Sequence, residues 1–209
     1  MSTEIYIIRH GESLGNKDKI FLGQLDRDLT SLGHEQARLA AEFFKDKRVD
    51  AVYSSSLLRA VNTAKAVADL KGLEVIKSDS LREINAGDWQ GRSYDNIAET
   101  YPEMWEIWRN ADYENVKTPD GETPVQVLSR VYSELEEIAK KHDGQSVVVA
   151  SHGLAIRIFL RHITDGKINE WAANASITKL SFKDGKFKVE FFNEHSHLGS
   201  LVTTVAKGV

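Results

Sequence analysis

Ile5-Tyr6-Ile7-Ile8-Arg9-His10-Gly11-Glu12-Ser13 opens the chain with four apolar residues that run straight into an arginine and a histidine. An unbroken apolar run of this length, largely β-branched, predicts a strand covered on both faces, as in the middle of a parallel sheet. Arg9 and His10 fall where the run ends. Gly11 is expected to let the backbone turn sharply and come close to a ligand. Open α/β sheets bind their ligands just outside the carboxyl ends of central strands, so a candidate site lies within the first dozen residues.

A strand ending in Arg-His-Gly could also be no more than a salt-bridged strand end, but two further stretches repeat the arrangement. Ser146-Val147-Val148-Val149-Ala150-Ser151 is an apolar run that ends on His152-Gly153, and Val52-Tyr53-Ser54-Ser55 leads into Leu57-Leu58-Arg59-Ala60. If the three strands lie parallel, Arg9, His10, Arg59 and His152 emerge at one end of the sheet. Arg59 falls in the first turn of a helix, where the peptide dipoles already favour negative charge and carboxylates are the usual occupants. A cation there points to a bound anion.

The remaining pattern alternates strands and helices. Thr30 is a candidate N-cap for a helix to about residue 45, with Leu32, Gln36, Leu39, Ala40, Phe43 and Phe44 at helical spacing. A strand over 49–54 precedes a helix over 56–70 capped by Ser55, and a short strand covers 73–76. Residues 15–28 read as loop. From 85 to 123 no clean periodicity holds; short helices over 93–100 and 103–110, split by Pro102, carry Trp105 and Trp108, with Tyr113 beyond them. This stretch is expected to form a cap over the sheet end whose aromatic rings shield the anion. Thr123-Pro124-Val125-Gln126 combines an N-cap threonine, proline at the first helical position and a capping-box glutamine, and its apolar stripe runs to about residue 141. A strand over 146–150, a helix over 153–162, and strands over 177–182 and 187–192 joined at Asp184-Gly185 complete the chain. The alternation implies an α/β fold, a three-layer αβα sandwich with a mostly parallel sheet and an antiparallel edge from the C-terminal hairpin, all in one domain over 1–209.

Composition narrows the function. With 209 residues the chain is long enough to bury roughly 70% of its extended surface unaided. Its 41% hydrophobic and 28% charged residues are ordinary for a globular protein. It has no cysteine, and therefore neither a disulfide framework nor a zinc-thiolate site. A net charge of −4 disfavours nucleic acid as a partner. No apolar run approaches the roughly 18 residues of a membrane span, and Met1-Ser2-Thr3 leads into a strand without a signal pattern, so a cytoplasmic location is expected.

Arg9-His10-Gly11-Glu12-Ser13 with Asn16, Ser54-Ser55-Ser56-Leu57-Leu58-Arg59-Ala60 with Thr63-Ala64, Leu81-Arg82-Glu83 with Gly87-Asp88-Trp89-Gln90-Gly91, and Ser151-His152-Gly153 together resemble the histidine phosphatase (phosphoglycerate mutase-like) superfamily. The blocks occur in order over nearly the whole chain. The resemblance implies the same sandwich fold and phosphoryl transfer on a small phosphorylated substrate, without a cofactor or metal. His10 is then the nucleophile that forms a phosphohistidine, its other ring nitrogen donating to a nearby backbone carbonyl. Arg9 and Arg59 supply forks for phosphate oxygens, His152 donates to the transferring group as an imidazolium, and Glu83 is the general acid. Asn16, Leu22, Gly23, Gly153 and Leu154 are implied at the substrate. Glu83 is expected to act as an acid only with substrate bound, so that turnover falls on the alkaline side. Without the flanking match Glu83 would read as a surface carboxylate paired with Arg82. Glu12 is expected to orient its loop. The Glu194-His195-Ser196-His197 segment offers two alternate histidines but no third ligand at suggestive spacing, and a structural role is expected for His197-Leu198.

Within this superfamily the phosphoryl group passes either to water or to another hydroxyl. Gln24 stands where mutases carry tryptophan, Leu154 replaces the asparagine after their His-Gly, and Trp108-Arg109-Asn110 stands where they carry tryptophan and paired arginines. The Gly87–Gly91 block resembles the phosphatase branch. Hydrolysis is therefore expected, with phosphoglycerate mutase as the enzymatic alternative and a non-catalytic phosphate-binding regulatory module as the other. The leaving alcohol and the oligomeric state are not legible.

Overall fold

The computed structural model describes residues 1–109 and 118–203. The strands are β1 (Thr3–Arg9), β2 (Ala51–Ser55), β3 (Val75–Ser78), β4 (Ser146–Ser151), β5 (Ile177–Lys183) and β6 (Lys186–Glu194), forming one sheet in the order β3-β2-β4-β1-β5-β6. β1 runs parallel to β4 with Arg9 opposite Ser151, and β4 runs parallel to β2 with Ala150 opposite Ser54. The three strand ends that carry the Arg-His, Ser-Ser and Ser-His pairs are therefore level with one another. β5 and β6 are antiparallel, joined by Asp184 and Gly185 at φ 51° and 74°, the left-handed pair that a tight hairpin turn requires.

Helices cover both faces: α1 (Leu14–Asp18), α2 (Ser31–Glu42), α3 (Leu58–Lys71), α4 (Tyr94–Thr100), α5 (Pro102–Arg109), α6 (Pro124–Lys141) and α7 (Gly153–Ile163). Strand alternation sorts the core. Ile5 and Ile7 of β1 join Val131, Leu135, Phe159 and Leu160 from α6 and α7. Tyr6 and Ile8 join Ala41, Phe44, Ala64 and Val67 from the α2–α3 side. Burying each such aliphatic side chain stabilises the fold by about 1.5–3 kcal/mol, and both faces of β1 are used, which is why its sequence is apolar without a break. Among the described residues no helix is long and apolar enough to cross a membrane.

Local signals hold where they are strong. Thr123 and Gln126 form the expected capping box on α6, with Pro124 in the first turn. Elsewhere the structure differs from expectation. The supposed loop 15–28 begins with α1, a five-residue helix capped by Ser13 and Asn16 and too short to show apolar periodicity. α3 starts after Leu57 rather than Ser55, whose hydroxyl meets His152 and the Leu57 N–H rather than the first N–H groups of the helix. β3 lies two residues later than its apolar residues suggest, at a sheet edge where pattern is weak. Trp89 anchors the stretch between β3 and α6: it is fully buried, with Phe21, Trp105 and Trp108 at ring distances of 5.6, 6.0 and 5.8 Å. Tyr113 lies outside the described residues.

Candidate active site

β1 delivers His10 to the sheet end, where its backbone N–H donates to Ser151 O of the neighbouring strand at 3.0 Å. The ring is buried, and Nδ1 lies 2.7 Å from Gly11 O. A carbonyl can only accept, so Nδ1 carries the proton and Nε2 keeps its lone pair. Burial, then Arg59 and Arg9, hold the His10 pKa well below the ordinary imidazole range, so the ring is neutral near pH 7. Gly11 does not line the pocket. A Cβ there would stand 2.4 Å from Gly33 O, and a Cβ on Gly33 would stand 2.0 Å from Glu12 O. The glycine serves close packing of the His10 loop on the start of α2, not approach to a ligand.

The two arginines are buried and carry little competing charge. Arg9 donates through an Nη to Ala172 O at 2.5 Å, and among the described residues its buried Nε has no partner. Arg59 donates to Gly23 O at 2.7 Å and Leu25 O at 2.9 Å, tying α3 to the loop at the pocket rim. Burial pulls each guanidinium down to about 10, partly offset by Glu83, so both remain cationic at neutral pH. Two buried cations without a matching ion pair among the described residues favour an incoming anion.

Glu83 is not paired with Arg82, which bridges to Asp79 at 2.9 Å. Its carboxylate accepts from the backbone N–H of Ile84 at 3.0 Å and of Leu154 and Ala155 at 3.1 Å, occupying the open N-terminus of α7. Its carbonyl is held by Gln24 Nε2 at 3.0 Å and Arg130 Nη2 at 2.9 Å. Arg130, in turn, pairs with Glu122 and donates to Ser80 O and Arg82 O, so one guanidinium fixes the whole approach to Glu83. No sequence signal singled out Arg130.

His152 is fully buried, with its ring 5.2 Å from that of His10 and Nε2 2.7 Å from Ser55 Oγ. Burial first, then Arg59, His10, Arg130 and Arg9, press its pKa well below the ordinary range. Burial and the nearby guanidinium groups thus favour the neutral ring in the unliganded protein, whereas the expected imidazolium belongs to a state with a phosphoryl group bound.

These groups surround one pocket. Arg9, His10, Arg59 and Glu83 line it, and so do Asn16, Leu22, Gly23, Gly153 and Leu154, while the fully buried His152 lies next to the lining residue His10. Asn16 Oδ1 accepts from Ser13 N–H at 3.1 Å and Asn174 Nδ2 at 3.3 Å. The outer wall is Ile20, Phe21, Ile84, Tyr94, Trp108 and Trp171. Trp105, expected at the pocket, instead stacks on Tyr94 at 5.7 Å behind that wall. Trp171 and Asn174 escaped sequence reading. Asn174 also donates to His10 O at 3.0 Å, and a Cβ on Gly153 would meet both Trp171 and Arg9 within 3.4 Å. Glu12 accepts from the Thr30 hydroxyl at 2.8 Å and steadies its loop, as expected. His197 meets Ala175 O at 3.0 Å beside buried Leu198. Among the described residues no group of three or more His, Asp or Glu is placed to hold a metal ion.

Comparison with known proteins agrees with this geometry. The sequence pattern of the Histidine phosphatase superfamily (branch 1) matches residues 5–195. Phosphoserine phosphatase 1 of Hydrogenobacter thermophilus is 32% identical over 210 residues, covering 99% of both chains. A metal-independent phosphoserine phosphatase of Arabidopsis thaliana is 35% identical over 201 residues, 95% of this chain and 84% of the relative. Among solved structures, Bacillus stearothermophilus YhfR superposes with a TM-score of 0.89 at 25% identity, over 94% of this chain and 99% of its own.

Proposed function

The chain belongs to branch 1 of the histidine phosphatase superfamily, and from that premise we propose that it hydrolyses a small phosphate monoester through a phosphohistidine on His10, without a metal. The observation that carries this reading is the Gly11 carbonyl on His10 Nδ1, which leaves Nε2 as the nucleophilic nitrogen in a pocket shared with two buried arginines. In the first step Nε2 bonds to phosphorus, the P–O bond to the alcohol breaks, and protonated Glu83 gives its proton to the departing oxygen. In the second, water attacks the phosphohistidine, Glu83 takes its proton, and the N–P bond breaks to release inorganic phosphate and neutral His10. Arg9 and Arg59 neutralise charge spreading over the phosphoryl oxygens, and Asn16, whose carbonyl oxygen is already occupied, offers its amide N–H.

Phosphate-monoester hydrolysis needs accelerations of up to about 10²¹, and acid-base help supplies only about 10²–10⁴ of that. The fixed charges and the covalent step must supply the rest. The described part of the stretch 85–123 acts in this reading as a cap, with Tyr94 and Trp108 on the pocket wall. Among the described residues its lining holds two arginines and no lysine, and Arg109 is turned to Glu106 at 2.9 Å. That is enough cation for one phosphate rather than for a second phosphate and a carboxylate, which favours water over a mutase acceptor. The relatives' names make phosphoserine the first ester to try. The test is phosphate release from a panel of esters, phosphoserine and an aryl phosphate included, with EDTA present. Release that disappears in His10→Ala supports the reading; isomerised 3-phosphoglycerate without free phosphate supports the mutase, and no turnover of any ester supports a binding module.

A further inference from the structure

Ser55 has no part in the mechanism above, yet its hydroxyl is fully buried 2.7 Å from His152 Nε2. The same oxygen accepts the Leu57 N–H at 3.3 Å. Among the described residues the only acceptor within reach of the Ser55 hydroxyl proton is therefore the imidazole nitrogen. If His152 were the donor in this pair, the hydroxyl proton and the Nδ1 lone pair would both be buried unmatched, whereas with Ser55 as donor only the Nδ1 proton is. The other ring nitrogen, Nδ1, is buried with no hydrogen-bond partner among the described residues.

We propose that Ser55 is a positioning residue: its hydroxyl donates to His152 Nε2 and so fixes the neutral tautomer with the proton on Nδ1, presenting an N–H donor to a phosphoryl group on His10. The inference rests on the phosphoryl-transfer reading for what Nδ1 meets, but the tautomer itself does not. It explains how His152 can donate without being charged. The groups facing it from the surrounding elements are Arg9 and His10 at the end of β1, Arg59 of α3 and Arg130 of α6, all of which oppose a second positive charge. A neutral Nδ1–H needs no proton uptake before each turnover, and its direction is set by a bond between neighbouring strand ends.

The test is side-chain ¹H–¹⁵N correlation spectroscopy of the full chain at pH 7, with the His152 signals assigned by comparison with His152→Gln. The expected spectrum shows His152 protonated on Nδ1 alone, and added inorganic phosphate moves that proton downfield. In Ser55→Ala the tautomer is expected to become mixed, with kcat lowered about 10- to 100-fold at nearly constant KM, short of the roughly 10²–10³ lost when a charge-facing donor is deleted outright. Ser55→Thr, which keeps the hydroxyl, should restore both. A wild-type His152 protonated on Nε2, or on both nitrogens, overturns the proposal whether or not the variants fold. If no ester is turned over while Nδ1–H is observed, the phosphatase reading has failed and the tautomer assignment stands.

Discussion

The Glu83 carboxylate receives the Leu154 N–H at 3.1 Å, so the proposed acid also closes the N-terminus of the helix that follows His152. Acid and helix start are one unit, and Glu83→Gln should disturb both. Glutamine keeps one acceptor oxygen but turns an NH₂ toward backbone donors. The expected result is a rate lower by about 10²–10⁴ together with a stability loss of about 1–2 kcal/mol from an unmatched helix end. A variant of unchanged stability by urea denaturation would mean that the capping contact contributes nothing.

Arg59, the proposed phosphate fork, is tied to the rim loop through Gly23 O and Leu25 O. Arg59→Lys keeps the charge and loses the fork. Each charge-assisted bond lost is worth about 1.5–3 kcal/mol, so kcat/KM is expected to fall by about 10- to 100-fold, mostly through KM for the substrate, with the inhibition constant of inorganic phosphate rising alike. Steady-state kinetics with phosphate as a competitive inhibitor checks this; equal affinity in the two proteins would show that the fork never meets the anion.

His10 and His152 are both held neutral by burial and by Arg59. Between the depressed native pKa values and the ordinary value near 6.5, the unfolded chain binds protons that the folded one refuses, so stability rises with pH there. It is complete above about pH 6.5 and falls as pH drops below, by at most about 1.4 kcal/mol per pH unit for each ring. Urea unfolding at pH 7 and pH 5.5 measures it. A double His10→Gln, His152→Gln variant should lose most of that slope, and a wild-type stability flat across this window would contradict the assignment.

Gly33→Ala tests the packing under the His10 loop. The added methyl would stand 2.0 Å from Glu12 O, which is backbone and cannot swing aside. A loss of about 1–3 kcal/mol is expected, with activity lowered because the His10 loop must move. Gly72→Ala is the comparison, since its Cβ meets nothing within 4 Å and its φ of +65° makes any cost purely one of backbone strain, with activity retained.

The contrast between these residues explains what could be read from sequence. β1, β4 and the cap of α6 are legible because their signals are local: an apolar run stopped by charge, or a Thr-Pro-x-Gln start. His10, Arg59 and His152 follow from the assumption that their strands are parallel, and Arg9 opposite Ser151 bears that assumption out. The Glu83 contact to α7 spans 71 residues and the Ser55–His152 bond 97, and neither leaves any periodic trace. Trp171 and Asn174 lie between α7 and β5 in a segment without pattern, and only the folded chain brings them to Arg9 and His10. The charge on His152 is not legible either, because it depends on burial and on Arg59, neither of which a strand-end motif reports.

The nucleophilic role of His10 is tested most directly by mixing the protein with a ³²P-labelled ester, quenching in alkali within milliseconds and locating the label. Base-stable, acid-labile phosphate on His10, absent from His10→Ala and formed at least as fast as steady-state turnover, is the predicted result. Steady release of inorganic phosphate with no labelled protein at any quench time, or full turnover by His10→Ala, would contradict it.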